Sequence, residues 1–382
     1  MAVRASTQRA SIGTQARGVT ELALCTFPAL IAPALLLQYL FGNYHAHPYT
    51  MDGHYFPDGG FLFDLHELWR AGHAVVLGHS PYPFVYPAPA AILMAPFGAL
   101  PFKVAVGAFA LTAIAAVVGA LRALGVRDWR CYSLALGWLP VASTTTLGAL
   151  STLLALGAAV AWRYRDRLLV VAAAVAAVVA VKVFLWPLLI WLVATRRFRT
   201  AATSVAMGIG LAVGCWAVIG FDGMLSYPRH IGEIASSQQG RSYSPDALLR
   251  ALGVPSGAAR VAVAVLTVAV IAAVVMLARR ADGDRRSFAA ALGAALVVSP
   301  IVWLHYFVLL YVVVALYRKR ATAAWFLPLA FWLVGHQDSG GSPARIVAAY
   351  AIAAATVALA ISPRLLPTRS ARAVSAPRTA GT

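Results

Sequence analysis

Apolar runs long enough to cross a bilayer recur along this 382-residue chain, separated by short clusters of Lys and Arg. About 20 such residues span the hydrocarbon layer. Backbone at that depth must satisfy its own hydrogen bonds, which restricts the fold to helices or closed barrels. Charged residues make up 12% of the chain, about half the share in a soluble domain. The reading is all-α: a polytopic transmembrane helical bundle with no separate soluble domain.

The net charge of +18 does not indicate nucleic acid, which would require a continuous basic face. The positive charges fall instead in clusters: Arg4–Arg17, Arg122–Arg130, Arg163–Arg167, Arg196–Arg199, Arg279–Arg286, Arg318–Arg320 and Arg364–Arg378. Such clusters mark the cytoplasmic ends of helices. Cys25, Cys131 and Cys215 sit in apolar segments and read as packing residues, with no disulfide framework and no metal spacing.

If every cluster is cytoplasmic, each interval between clusters holds an even number of crossings. Leu168–Thr195 then becomes a hairpin of two short helices with Lys182 and Pro187 near its outer tip. A lysine at the centre of a single helix would cost on the order of 3 kcal/mol. Phe288–Tyr317 repeats the pattern, broken at Ser299-Pro300. About twelve crossings result, near 21–41, 102–122, 131–145, 148–163, 168–181, 183–195, 200–220, 258–278, 287–300, 303–317, 323–335 and 344–362. Pro-rich Ala88–Gly98 reads as a re-entrant half-helix. Residues 1–20 form a basic cytoplasmic segment before a retained signal anchor. A single transmembrane domain fills 21–362, and 363–382 form a disordered basic cytoplasmic tail.

Two extracytoplasmic regions are large on this scheme, Asn43–Pro87 and Phe221–Ser256. The first holds six of the nine histidines and four of the thirteen acidic residues. Within it, Phe61–Gly72 (FLFDLHELWRAG) places Phe61, Leu65, Leu68 and Trp69 on one helical face and Asp64, Glu67 and Ala71 on another. This fits an interfacial helix with its apolar face in lipid and Trp69 at the headgroups. Asp64 is either a solvated, salt-bridged carboxylate or a general base at the membrane surface. Asp52 and Asp58 are its rivals, in a Gly- and Pro-rich stretch with turn chemistry. His45, His47 and His54 lack the spacing of a metal site, so no metal ligand is assigned and a divalent cofactor stays open. Tyr82 and Tyr86, with Trp303, are candidate walls of a groove for an isoprenoid or sugar.

Four features in order resemble one family: Asp64 in FDLHELWRAG, then GHSPYPFVYPAPAAILMAPFGALP from Gly78, Lys182 in AVKVFLWP, and His305 in SPIVWLHY. Together they resemble glycosyltransferase family 87, the actinobacterial polyprenyl-phosphate-sugar-dependent mannosyltransferases of the GT-C superfamily. The even number of crossings puts both termini in the cytoplasm. The resemblance implies a multi-pass GT-C fold, expected in the plasma membrane. It implies a polyprenyl-phosphate sugar donor, commonly mannose, and inverting transfer to a glycolipid or glycan acceptor on the extracytoplasmic face. It implies Asp64 as base and His305 at the site. Two departures stand out: Thr144–Ala149 replaces the Gly-Gln often found there, and Pro187 lies five residues beyond the lysine.

On these grounds Lys182 is expected to bind the donor phosphate or else to snorkel to the outer headgroups, and His305 with the loop arginines Arg241 or Arg229 to assist, unless those arginines are ordinary solvated charges. The alternatives are an arabinofuranosyltransferase of the same fold, a lipid-linked-sugar flippase and a non-catalytic scaffold. The flippase would favour symmetric halves and midplane charges. The scaffold leaves Lys182 and the polar first loop unexplained.

Overall fold

The computed structural model describes residues 62–334 and 341–362, with scattered positions between 20 and 56. Asp52, Asp58, His45 and His47 lie outside the described residues, as does the basic tail. Apart from a small antiparallel pair of strands, β1 (Tyr49–Met51) and β2 (His54–Phe56), the described chain is helical. Four helices are long and apolar enough to cross a membrane: α3 (Phe102–Ala123), α9 (Phe198–Val218), α12 (Ser256–Ala278) and α16 (Pro343–Ile361).

Between them lie shorter helices: α1 (Phe63–Val76), α2 (Ala88–Gly98), α4 (Trp129–Gly137), α5 (Leu139–Leu147), α6 (Ser151–Arg163), α7 (Leu168–Val181) and α8 (Pro187–Ala194). After α9 come α10 (Tyr227–Ser237) and α11 (Pro245–Ala251). After α12 come α13 (Gly283–Val298), α14 (Leu309–Tyr317) and α15 (Ala323–Phe326). Short 3-10 turns, among them Val183–Leu185, Leu304–Val308 and Leu327–Leu333, mark the breaks. Val261, Val265, Val268 and Ile209 are exposed on α12 and α9. Apolar faces of this extent are natural against lipid tails and costly in water.

The breaks follow the local chemistry. Pro140 sits in the first turn of α5, where it has no amide to continue the preceding helix, and Trp138 two residues before it is extended, so the single helix expected at 131–145 is two. Pro328 likewise replaces most of the helix expected at 323–335 with a 3-10 turn. The region 221–256, read as a loop, carries α10 and α11.

The basic clusters gather at one face. Asp284 ion-pairs with Arg165 at 3.1 Å and with Arg197 at 2.7 Å. Both ends of the 168–195 segment therefore return to the same level, as a hairpin requires. The Arg285 guanidinium lies over the Tyr317 ring, Lys319 donates to the Leu124 carbonyl, and Arg318 donates to the Ser362 carbonyl. Five of the clusters and the end of α16 thus share one basic face.

α1 departs from its expected placement. Leu65 and Leu68 are fully buried in the protein core rather than turned to lipid, and Ala71, assigned to the polar face, is buried beside them. Trp69 Nε1 donates to the Leu100 carbonyl at 3.0 Å. The cause is close backbone contact with α2. A Cβ on Gly72 would lie 2.4 Å from the Met94 carbonyl oxygen, and one on Gly98 2.2 Å from the His73 nitrogen. Two glycines let the helices touch, the small-residue mode of membrane helix packing.

Candidate active site

The site forms where three chain breaks meet at the far end from the basic face. α7 runs fourteen residues from Arg167, so Lys182 lies about 21 Å along it at 1.5 Å per residue. Lys182 is extended (φ −152°, ψ 103°) and caps α7.

Asp64 stands in the first turn of α1. Its position depends on α5: the Leu62 amide donates to the Thr146 carbonyl at 2.8 Å. Gly148, at φ +74°, lies so near Leu65 that a Cβ would fall 2.2 Å from the Leu65 Cβ. The stretch 144–149, which departs from the expected Gly-Gln, therefore seats α1.

His305 lies in the 3-10 turn after the break at Ser299–Trp303 and is 3% exposed. The unwound backbone is held from the region after α10. Val302 N–H donates to Ser242 Oγ at 3.0 Å, and Tyr243 N–H donates to the Val302 carbonyl at 2.7 Å. The Tyr350 hydroxyl donates to the Leu296 carbonyl near the end of α13. Irregular backbone at membrane depth persists only when groups like these are satisfied.

These elements bring Asp64, Lys182, His305 and Tyr86 together. His305 Nε2 lies 3.9 Å from Asp64 Oδ2, too far for a direct hydrogen bond. Neither atom has a hydrogen-bond partner among the described residues, so both are available to a substrate hydroxyl. Lys182 Nζ lies 3.5 Å from the Tyr86 hydroxyl, 4.8 Å from the Tyr86 ring centroid and 4.1 Å from that of Tyr306. Aromatic faces attract a cation at this range. Burial pushes the Asp64 carboxyl up to about 6, against the opposing pull of the Lys182 charge and with a further rise from Glu67.

The sequence places Tyr306 with Trp303 and His305 at the outer side of the second hairpin but gives it no role in the site. Tyr306 stacks on Phe184, which follows Lys182, at 4.7 Å and so fixes the lysine-bearing break against the histidine-bearing one. Tyr82 plays a different part from Tyr86. Its ring stacks on Trp216 at 4.6 Å, and its hydroxyl donates to the Tyr86 carbonyl. Trp303 is half-buried at the start of its 3-10 turn. Arg229 is exposed on α10 and paired with Glu233 at 3.0 Å. Arg241 is exposed, with its carbonyl accepting from the Gly341 amide. Of these two, Arg229 is paired along its own helix rather than with Asp64, Lys182, His305 or Tyr86. Among the described residues no group of three or more His, Cys, Asp or Glu has metal-binding geometry.

Comparison with curated proteins and with solved structures found no match. The family model of glycosyltransferase family 87 matches residues 84–302. That stretch contains Tyr86 and Lys182, while Asp64 and His305 flank it. It takes in α2 through the break at Val302 and more than half of the chain, and the protein therefore belongs to glycosyltransferase family 87, a family of membrane glycosyltransferases.

Proposed function

We propose that this membrane glycosyltransferase moves a sugar, mannose in the simplest case, from a polyprenyl-phosphate donor to a hydroxyl of a glycolipid or glycan. Transfer takes place on the extracytoplasmic face within a GT-C-type bundle. The observation that carries this reading is the meeting of a carboxylate and an ammonium group at the end of the bundle remote from the basic clusters.

A sugar on a lipid phosphate already has a good leaving group, so the reaction needs a base and a cation rather than two carboxyl groups. Asp64 takes the proton of the acceptor hydroxyl as its oxygen attacks the anomeric carbon. The bond from that carbon to the phosphate oxygen breaks with inversion, and the phosphate leaves as an anion beside Lys182. His305 Nε2, 3.9 Å from the Asp64 carboxylate, orients the acceptor hydroxyl. Tyr86 and Tyr306 hold the ammonium in place through their ring faces.

The test is transfer by the purified protein from radiolabelled polyprenyl-phosphate-mannose to a mannoside acceptor, scored as new glycoside. Asp64→Asn is expected to lower turnover by about 10²–10⁴-fold, the usual contribution of a general base. Near-full activity in Asp64→Asn with loss in Asp58→Asn would move the base to Asp58. Donor affinity unchanged in Lys182→Ala would remove the lysine from phosphate binding.

A further inference from the structure

On the basic face, at the opposite end of α3 from the site, a cavity of about 870 Å³ opens between the C-terminal ends of α3 and α6 and the start of α4. Four arginines line it: Arg122, Arg127, Arg163 and Arg165. Trp129 and Trp162 form part of its wall, and none of its lining residues is acidic.

Of the nearby carboxylates among the described residues, only Asp284 reaches a lining arginine, Arg165. Asp128 lies between two lining residues but pairs with Arg130 at 3.1 Å and accepts from the Ala321 amide at 2.9 Å. Asp166 and Asp284 both pair with Arg197, and Asp284 also takes Arg165. Among the described residues, Arg122, Arg127 and Arg163 form no ion pair with a carboxylate.

Arginines at helix C-termini complement the helix dipole and mark membrane orientation without binding anything. That account does not explain why Arg122, Arg127 and Arg163 converge with the Asp284-paired Arg165 on one concavity whose wall holds no acidic residue. Guanidinium groups pair with phosphate oxygens through two parallel hydrogen bonds. The cavity sits at the end of a helix of membrane-spanning length, the level of lipid headgroups. Trp129, 50% exposed, is the kind of residue that anchors at that boundary. Basic pockets between membrane helices on this side suit anionic headgroups.

We propose that this cavity binds the phosphate of an anionic glycerophospholipid from the leaflet on the basic face. It is a second lipid-phosphate site, separated from the catalytic cluster by the length of α3, and it does not depend on the identity of the sugar donor.

The experiment measures binding to the purified full-length protein in neutral detergent by tryptophan fluorescence. The ligands are short-chain phosphatidylglycerol, phosphatidylcholine of the same chain length and sn-glycerol 3-phosphate. The wild-type protein is expected to prefer phosphatidylglycerol. The triple variant Arg122→Gln, Arg127→Gln, Arg163→Gln is expected to lose affinity on the order of a hundredfold, at roughly fivefold per arginine near the surface. A matched triple variant, Arg279→Gln, Arg280→Gln, Arg286→Gln, removes the same charge from the same face and is expected to bind as wild type. Thermal unfolding of both variants checks that they fold. Equal affinity for sn-glycerol 3-phosphate would overturn the lipid as occupant in favour of a soluble phosphate ester. No preference for phosphatidylglycerol, or equal losses in the two triple variants, would overturn the site.

Discussion

Asp64 is held where its charge is costly, and its two charged neighbours pull in opposite directions. With the carboxyl pushed up to about 6, a base that must be ionised loses its function as pH falls through that value. The acid limb of the kcat/KM profile is therefore expected near pH 6, well above an ordinary aspartate. Removing the Lys182 charge by Lys182→Met withdraws the one influence that favours the carboxylate, so the limb moves to higher pH. Glu67→Gln withdraws a negative neighbour, so the limb moves lower. A limb unmoved in both variants would take Asp64 out of the rate-limiting proton transfer. Much at this scale was legible in the sequence. A lysine and a histidine inside apolar runs, and a carboxylate on an amphipathic turn, each violate the expected pattern of their surroundings. The fixing of Tyr306 against Phe184 was not legible, because an aromatic residue in an apolar run is indistinguishable from packing until its neighbour is known. Nor was the pairing of Arg229, since its partner Glu233 lies one helical turn along α10 and the sequence there reads as loop.

At the level of the elements, the site depends on where α1 is seated, and that is decided by glycines rather than by the apolar stripe. Gly148→Ala forces a Cβ to 2.2 Å from that of Leu65 at a backbone angle that also disfavours a side chain. Overpacking of this kind costs about 1–3 kcal/mol, and the left-handed backbone adds about 1–2 kcal/mol. The variant is expected to unfold at lower temperature and to lose turnover as Asp64 shifts. Gly253→Ala isolates the backbone share: Gly253 has φ +85° with open space around it, so it is expected to lower stability without lowering kcat. Equal activity in the two variants would dissociate the α1–α5 contact from catalysis. The period of FLFDLHELWRAG correctly indicated a helix but not its neighbour. An apolar stripe has the same pattern whether it meets lipid or protein, and here Gly72 and Gly98 brought α2 against it. The breaks at Lys182 and after Val298 were legible because a charge or a proline interrupts an otherwise uniform run. The break at Trp138 rests on Pro140, which the single span drawn over 131–145 passed across.

For the molecule as a whole, the proposed reaction depends on sidedness. Interactions between clusters remote in sequence (Asp284 with Arg165 and Arg197, Lys319 with Leu124, Arg318 with Ser362) draw the positive charges to one face. Positive charge on short loops tends to orient a polytopic protein with that face in the cytoplasm, and the proposed reaction takes the Asp64–Lys182 cluster to lie toward the other side. The alternation of apolar runs and basic clusters already implied this arrangement. What it lacked was the pairing of Asp284, since an ion pair between distant positions leaves no mark on the local pattern. Orientation is open to direct measurement because Cys25, Cys131 and Cys215 are all buried and contribute little background labelling. Asp222 is exposed just beyond the end of α9 that points away from the basic face, and Ala281 is exposed on the basic face itself. In intact cells a membrane-impermeant maleimide is expected to label Asp222→Cys, and to label Ala281→Cys only after permeabilisation. The reverse pattern would turn the carboxylate and lysine toward the cytoplasm. Their donor would then have to be presented on the inner leaflet, and the proposed reaction on the outer face would fall, whatever the activity of Asp64→Asn.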